Sequence, residues 1–378
     1  MRTAIVVGAG IGGVAAAVAL EGCGWQVTVL ERAAELGEVG AGISVWPSSV
    51  AVLEELGIEG VEKAAVPAGM AGMRRPDGRW VVEAAALGVE IPVMIHRAQL
   101  HELITDRFGP GVTVRTGITV TGISQDAAGV TVTAGDESLR AELVVAADGL
   151  RSVVRRALHP SHPGPRYSGY TAYRGIADVD LSDGGGETWG RGQRFGFAKL
   201  IDGRYYWYAT ANREAGLASD AGEVARRFGD WHDPIPALLA GTPPEYVLRN
   251  DIYDLPLPLV PFVSGRVVLL GDAAHAMTPN LGRGACSAIE DAGALARHLR
   301  ATEDLATALA AYDAERRPVT AKLVKRSRAI GRLGQVDNRM LCVLRDGLLG
   351  LGGTAAGLAG RLSAGLSARR RRVEQSRM

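Results

Sequence analysis

The chain has 378 residues, 47% hydrophobic and 22% charged, a composition that supplies a core for one large domain or two and excludes a disordered chain. With 42 Lys and Arg against 41 Asp and Glu the net charge is +1, so no overall field recruits nucleic acid, and the expected partners are small molecules. Three widely spaced cysteines, Cys23, Cys286 and Cys342, exclude a disulfide framework and zinc-ligand spacing; each reads as a small buried apolar residue, no metal is expected, and a reducing, cytoplasmic setting fits.

Residues 3–7 (TAIVV) read as a strand, Gly8, Gly10 and Gly13 form G-x-G-x-x-G, and Val14 to Leu20 read as a helix. Gly22 and Gly24 break that helix, and Val27, Val29 and Leu30 lead a second strand to Glu31, 18 residues past Gly13. A secretory leader would instead give way to a small-residue cleavage site. The βαβ order has a physical purpose: the glycines let the backbone turn and approach a pyrophosphate at a helix N-terminus, and the acid reaches a ribose hydroxyl. The cradle alone fits NAD or FAD; an acid at the ribose position argues against NADP held here, and leaves Arg32 over adenine or in solvent.

Further along, HRAQLHELI starts a helix at Arg97 with Leu100, Leu103 and Ile104 facing inward. LVVAADGLRSVVRR, residues 143–156, runs from a strand into Asp148-Gly149 and a basic helical turn. From Tyr170 to Asn212 come β-rich runs separated by SDGGGE and DGR, which predict an antiparallel sheet completed by a piece near 70–95. Alternation along RYYWYAT puts Tyr206 and Tyr208 on one face and Tyr205 and Trp207 on the other. Helices are expected at about 221–240 and from 284 to 330. RVVLLGDAAHAMTPNLGRGACSAIEDA, residues 266–292, runs from a strand through Gly271-Asp272 and Pro279 to Gly282-Arg283-Gly284 opening a long helix, with His275 read as scaffolding.

Together these three stretches resemble the marks of the class A flavoprotein monooxygenases, the family of para-hydroxybenzoate hydroxylase, salicylate hydroxylase and zeaxanthin epoxidase; the resemblance covers about 330 residues. It implies an α/β fold: a Rossmann-like FAD-binding domain, discontinuous over 1–70, 96–165 and 260–335, and a smaller antiparallel β-sheet substrate domain over 71–95 and 166–259. It also implies that FAD is held by Gly8, Gly10, Gly12, Gly13, Glu31, Arg32, Ser44, Arg97, Val120 (through its backbone, at adenine), Asp148, Gly271, Asp272, Pro279, Gly282, Gly284, Ala285 and Cys286. Asp272 would accept from the ribityl chain, and the Gly282–Cys286 backbone would donate to the flavin pyrimidine and stabilise the reduced anion.

Tyr173, Arg194, Phe197, Tyr206, Tyr208, Trp46 and Pro279 are the pocket candidates. Arg194 and Tyr206 are similar to the arginine and tyrosine that meet substrate in bacterial FAD-dependent urate hydroxylases, although YTAYRGI departs from those enzymes. These two are assigned as catalytic, Arg194 stabilising a substrate anion and Tyr206 orienting it. The implied activity is an NAD(P)H- and O2-dependent monooxygenase that hydroxylates a small aromatic or heteroaromatic substrate through a flavin C4a-hydroperoxide, with NADH or NADPH as a transient co-substrate. Alkene epoxidation and a flavin-binding redox protein without oxygenase turnover are the alternatives. Residues 336–378 read as a C-terminal tail, a helix packed on the FAD domain followed by a solvated Arg-rich end, rather than a membrane-surface helix; the uncharged run Gly347–Gly360 is too short to span a bilayer.

Overall fold

Val268, Val145, Val6, Val29 and Val114 stand side by side across five parallel strands, Val267–Leu269, Leu143–Ala146, Thr3–Val7, Gln26–Leu30 and Val112–Arg115. Strands covered on both faces read as continuous apolar runs, which is what Ala4–Val7 and LVVA are, while QVTVL keeps Gln26 and Thr28 on a half-buried face. Each fully buried valine in that row contributes about 2 kcal/mol relative to an exposed one. Val263–Ser264 adds an antiparallel edge strand. The structure is a computed structural model that describes residues 2–37, 41–69, 71–83, 90–182, 184–218 and 222–352; Gly40 and the Arg-rich stretch after 352 lie outside the described residues.

The chain divides into two compact units. The first comprises Met1–Val66, Val93–Ser168 and Ile252–Gly331, and holds the six-stranded sheet with helices Ile11–Glu21, Pro47–Glu55, Arg97–Thr105 and Gly284–Ala301. The second comprises Pro67–Pro92, Gly169–Asp251 and the chain from Arg332 on. The boundaries fall a few residues from those expected because Val93–His96 pairs with Gly42–Val45, and because Leu255 bonds its N–H to the Ala276 carbonyl at 2.9 Å.

The second unit is built on a seven-stranded sheet whose order is Leu248–Asp254, Arg166–Ala177, Tyr205–Asn212, Gln193–Lys199, Gly185–Trp189, Gly72–Arg74 and Trp80–Glu83. It is mixed rather than wholly antiparallel: Gly185–Trp189 pairs parallel with Gly72–Arg74, a pairing that a hairpin cannot make and a long crossover can. Two short helices, Glu223–Phe228 and Ile235–Ala240, cover one sheet face. There Trp207 stacks on Phe195 at 5.4 Å, Phe228 tilts against Phe195, and the Trp207 indole donates to Thr242 Oγ1 at 2.8 Å.

That face also takes Tyr173 and Phe197, which corrects their assignment to the pocket: both are buried in the aromatic core under the two short helices. The C-terminal helix, residues 339–352, belongs with the sheet unit and not with the first unit as expected. Buried charge explains it, since Arg345 Nη1 donates to the Gly190 carbonyl and Asp346 pairs with Arg75 at 2.9 Å. Cys23 is only half-buried, whereas Cys286 and Cys342 are buried as expected.

Candidate functional site

In the first unit the G-x-G-x-x-G turn is dictated by contact distances. A Cβ on Gly13 would lie 1.9 Å from the Gly8 carbonyl oxygen, and one on Gly8, at φ +98°, would lie 2.5 Å from the Ala147 oxygen. Gly12 faces Ala288 and Leu270, so the Ile11–Glu21 helix lies directly against Gly284–Ala301. Gly10 is the N-cap and offers no side chain, so the first N–H groups of that helix have no side-chain cap.

Glu31 and His101 hold this turn from two sides. Glu31 Oε2 accepts from Ala9 N at 2.7 Å and Oε1 from Ala33 N at 2.9 Å, while His101 Nε2 donates to the Ala9 carbonyl at 2.7 Å. Glu31 therefore shapes the loop as well as lying where a ribose acid is expected. Arg32 is exposed. Val120 is buried in the core, in a segment anchored by Ile118 N–H on the Glu31 carbonyl, 2.8 Å. Arg97 begins its helix half-buried, with its N–H on the Ala41 carbonyl.

Asp148 Oδ2 accepts from Val153 N and Val154 N at 2.8 and 3.2 Å, and its buried Oδ1 has no protein partner. Behind it Arg155 is buried, donating to the carbonyls of Ala273 and Leu150 at 2.8 and 2.6 Å, so one guanidinium ties the Asp148-Gly149 turn to the Gly271-Asp272 turn. Burial lowers the Arg155 pKa, and Asp148 partly offsets that.

Gly271 precedes the short helix Asp272–His275, where Asp272 is exposed. The turn is fixed by Asp291: its Oδ2 accepts from Gly271 N at 3.0 Å and His275 Nε2 at 2.5 Å, and its Oδ1 accepts from Arg316 Nε at 2.7 Å. Burial opposes ionisation of Asp291, but attraction to His275 and Arg316 outweighs it and holds the carboxyl below its ordinary range.

Pro279 is exposed and Gly282 takes the left-handed conformation, φ +59°. Asn280 Nδ2 bonds Thr278 Oγ1 and the Ser327 carbonyl, fastening this loop to the helix Leu305–Gly334. Gly284 and Ala285 open an 18-residue helix with no side-chain cap, so its positive end can accept an anionic group. Cys286 Sγ donates to the Ser44 carbonyl at 3.3 Å and Gly282 lies against Ser44 and Trp46, which brings the GISVWP strand to the same loop. Burial pushes the Cys286 thiol up, so it is not a reactive thiolate. The buried Trp46 Nε1 has no protein partner.

A long dinucleotide fits these residues: two uncapped helix N-termini, a glycine cradle that any Cβ would fill, and orphaned polar atoms on Asp148 and Trp46. Among the described residues no group of three or more His, Cys, Asp or Glu can hold a metal, and no helix is long and apolar enough to cross a membrane.

In the second unit, the sheet face opposite the aromatic core carries Arg194, Tyr206, Tyr208 and Glu187, placed together by the register Arg194–Thr210, Gly196–Tyr208 and Ala198–Tyr206. Tyr208 donates to Glu187 Oε1 at 2.6 Å, and Arg194 Nη1 is 3.6 Å from the same oxygen. The Tyr208 ring lies over Gly196, where a Cβ would approach within 2.4 Å. Arg194 is 2% exposed, its guanidinium over Trp189 at 5.6 Å. Burial first, then Glu187, raises the Tyr208 pKa well above its ordinary value, so the phenol stays a donor.

Comparison with known proteins bears on this geometry. A family model described as "FAD binding domain" matches residues 1–198 and 258–327. The chain belongs to the class A FAD-dependent monooxygenases. It is 39% identical over 92% of its length to an aurachin C monooxygenase/isomerase of Stigmatella aurantiaca, covering 93% of that protein. It is 36% identical over 86% of its length to the FAD-dependent urate hydroxylase of Klebsiella pneumoniae, covering 88% of that protein. The structure of Klebsiella pneumoniae HpxO complexed with FAD and uric acid superposes with a TM-score of 0.83 at 33% identity over 92% of each chain. The class A monooxygenases are NAD(P)H-dependent enzymes, and FAD is the cofactor of this one.

Reading the motifs missed His101, Arg155, Asp291, Glu187 and Ser327. Arg155 and Asp291 fall within the quoted stretches, but their roles depend on partners 118 and 20 residues away, and local spacing carries no signal of that.

Proposed function

We propose that this monooxygenase hydroxylates a small aromatic or heteroaromatic substrate. FAD, when bound, supplies the redox chemistry, taking reducing equivalents from NADH or NADPH and activating O2. The observation that supports the reading is the buried Arg194 guanidinium on a sheet face beside the phenols of Tyr206 and Tyr208. A desolvated cation favours the anionic form of an acidic O–H or N–H, and that form donates electrons to an aromatic ring best. Glu187, held by Tyr208 and near Arg194, fixes the direction of the guanidinium. The urate hydroxylase relative favours a compact heteroaromatic substrate. In this reading Arg194 stabilises the substrate anion and Tyr206 orients it, while Gly8, Gly10, Gly12, Gly13, Glu31, Asp148, Asp272 and Gly282–Cys286 hold the cofactor.

The test is anaerobic flavin bleaching by NADH and NADPH with and without phenols, salicylates, quinolones, purines and polyenes, followed by product analysis. Strong acceleration by one aromatic class, with oxygen on a ring carbon, supports the proposal. Acceleration by a polyene with an epoxide product, or no acceleration in a yellow protein, overturns it. Arg194→Ala is expected to stay yellow and lose the acceleration.

A further inference from the structure

A buried arginine serves an anionic ligand only if its long side chain is held in one place before the ligand arrives. Around Arg194 the holding groups come from a distant stretch of the chain, residues 334–346, which lies in the same sheet unit. Strand pairing sets Trp189, Arg194 and Thr210 in one row across the sheet. Gly334, the last residue of the helix Leu305–Gly334, lies on that row: a Cβ there would be 2.8 Å from Arg194 Cδ and 3.0 Å from its Nε. Only glycine lets a helix end approach the arginine so closely.

Main-chain carbonyls fasten the segment that follows. Asn212 Nδ2 donates to the Gln335 carbonyl at 3.0 Å, Gly192 N to the Val336 carbonyl at 2.8 Å, and Arg191 Nε to the Asp337 carbonyl at 3.1 Å. The donors sit in the turn before Gln193–Lys199 and at the end of Tyr205–Asn212, so the segment is tied to the strands that carry Arg194 and Thr210.

Trp189 is the second support. The Arg194 guanidinium lies over its indole at 5.6 Å and the Arg345 guanidinium at 5.4 Å, and indole is the side-chain ring that attracts a cation best. All three residues are buried. Two guanidinium groups at one ring repel unless each has a counter-charge. Arg345 has Asp346, whose Oδ1 accepts from it at 2.9 Å and whose Oδ2 accepts from Arg75, and its Nη1 donates to the Gly190 carbonyl at 3.3 Å. Arg194 has Glu187 at 3.6 Å, which Tyr208 holds from its other side at 2.6 Å.

We propose that Gly334, Trp189 and Arg345 are positioning residues that hold the Arg194 guanidinium in one direction, so that residues 334–346 complete the substrate site, on the reading of Arg194 as the group that stabilises the substrate anion.

The test uses the full-length, FAD-loaded protein and para-nitrophenol, whose absorbance separates phenol from phenolate. Bound to the parent, the probe is expected to ionise at lower pH than in water, and Arg194→Ala should remove that shift. Gly334→Ala sets a methyl group against the flexible Arg194 stem and not against backbone, so it should move the guanidinium while the sheet stays folded. Trp189→Leu removes the ring face. Both variants should weaken binding of the phenolate about tenfold and leave binding of the neutral phenol within about twofold, a split that general loosening does not produce. Trp189→Phe should restore most of the phenolate binding, and Arg345→Lys, which keeps the charge but loses the planar stack, should fall between the two Trp189 variants. A parent that binds phenolate no better than phenol overturns the reading of Arg194 and these assignments with it. A preference that Arg194→Ala removes, but that Gly334→Ala and Trp189→Leu leave intact with full flavin content, overturns the positioning roles alone. Equal loss of phenol and phenolate binding in those two variants does the same.

Discussion

His101 donates a hydrogen bond to the carbonyl of Ala9 at 2.7 Å, across 92 residues of sequence, in the glycine turn proposed to hold FAD. Because Glu31 takes the N–H of the same residue, both backbone polar groups of Ala9 are held, and the two peptide planes flanking its Cα set where the following helix N-terminus points.

Removing that clamp should loosen FAD. His101→Ala leaves a buried carbonyl without its donor, a loss of about 1–3 kcal/mol, and the affinity of apoprotein for FAD should fall about tenfold or more, read by quenching of flavin fluorescence on binding. His101→Gln should recover part of it. Unchanged affinity in the alanine variant would remove His101 from the clamp.

Two glycines separate fold from cofactor. Gly13→Ala places a methyl group within 1.9 Å of the Gly8 oxygen, so this variant should be colourless and should melt at lower temperature. At Gly284 an added methyl meets no protein atom within 4 Å. The apoprotein of Gly284→Ala should therefore melt like the parent yet bind FAD several-fold more weakly, because the helix N-terminus can no longer be approached as closely. Equal loss of thermal stability in both variants would refute the distinction.

Asp291 links acid stability to the Gly271-Asp272 turn, which is proposed to hold the cofactor. Its folded-state pKa lies below the ordinary 3.8, so its stabilisation is fully present above that value and is lost as pH falls through the lower folded-state value. Asp291→Ala strands Arg316 and His275, and should cost about 3–5 kcal/mol near neutrality. Its unfolding free energy, measured by denaturant titration against pH, should lose the steep acid limb of the parent. An acid limb identical in both proteins would show that Asp291 does not carry it.

Tyr208 should remain un-ionised far past the usual phenol range. Burial and Glu187 raise its pKa well above 10.0, so an ultraviolet pH titration of the native protein should show one fewer tyrosine in Tyr208→Phe only at the alkaline extreme. Since the unfolded chain ionises this phenol first, its contribution to stability falls as pH rises past 10. The same variant should keep its flavin and lose about tenfold in substrate-stimulated reduction, because Glu187 loses a buried hydrogen-bond partner. Wild-type stimulation would exclude the Tyr208–Glu187 pair from substrate handling.

Much of the first unit was legible residue by residue. TAIVV, the three glycines and Glu31 name a strand, a turn and an acid, because a parallel strand buried on both faces must be apolar and a backbone approaching a phosphate cannot carry side chains. Alternation in RYYWYAT likewise separates Tyr206 and Tyr208 from Tyr205 and Trp207. Period two says nothing of which side is covered. That was decided by the helices Glu223–Phe228 and Ile235–Ala240, which took Trp207, Phe197 and Tyr173 into a core and left Tyr206, Tyr208 and Arg194 on the other face. The partners of His101, Asp291 and Glu187 were likewise settled only in three dimensions, since a hydrogen bond over 20 or 92 residues depends on how elements pack and leaves no local pattern. The C-terminal helix makes the same point in reverse. Its sequence contains both leucines and an Arg-Asp pair, and it was the burial of Arg345 and Asp346, the latter paired with the half-exposed Arg75, that turned the charges inward and the leucines outward.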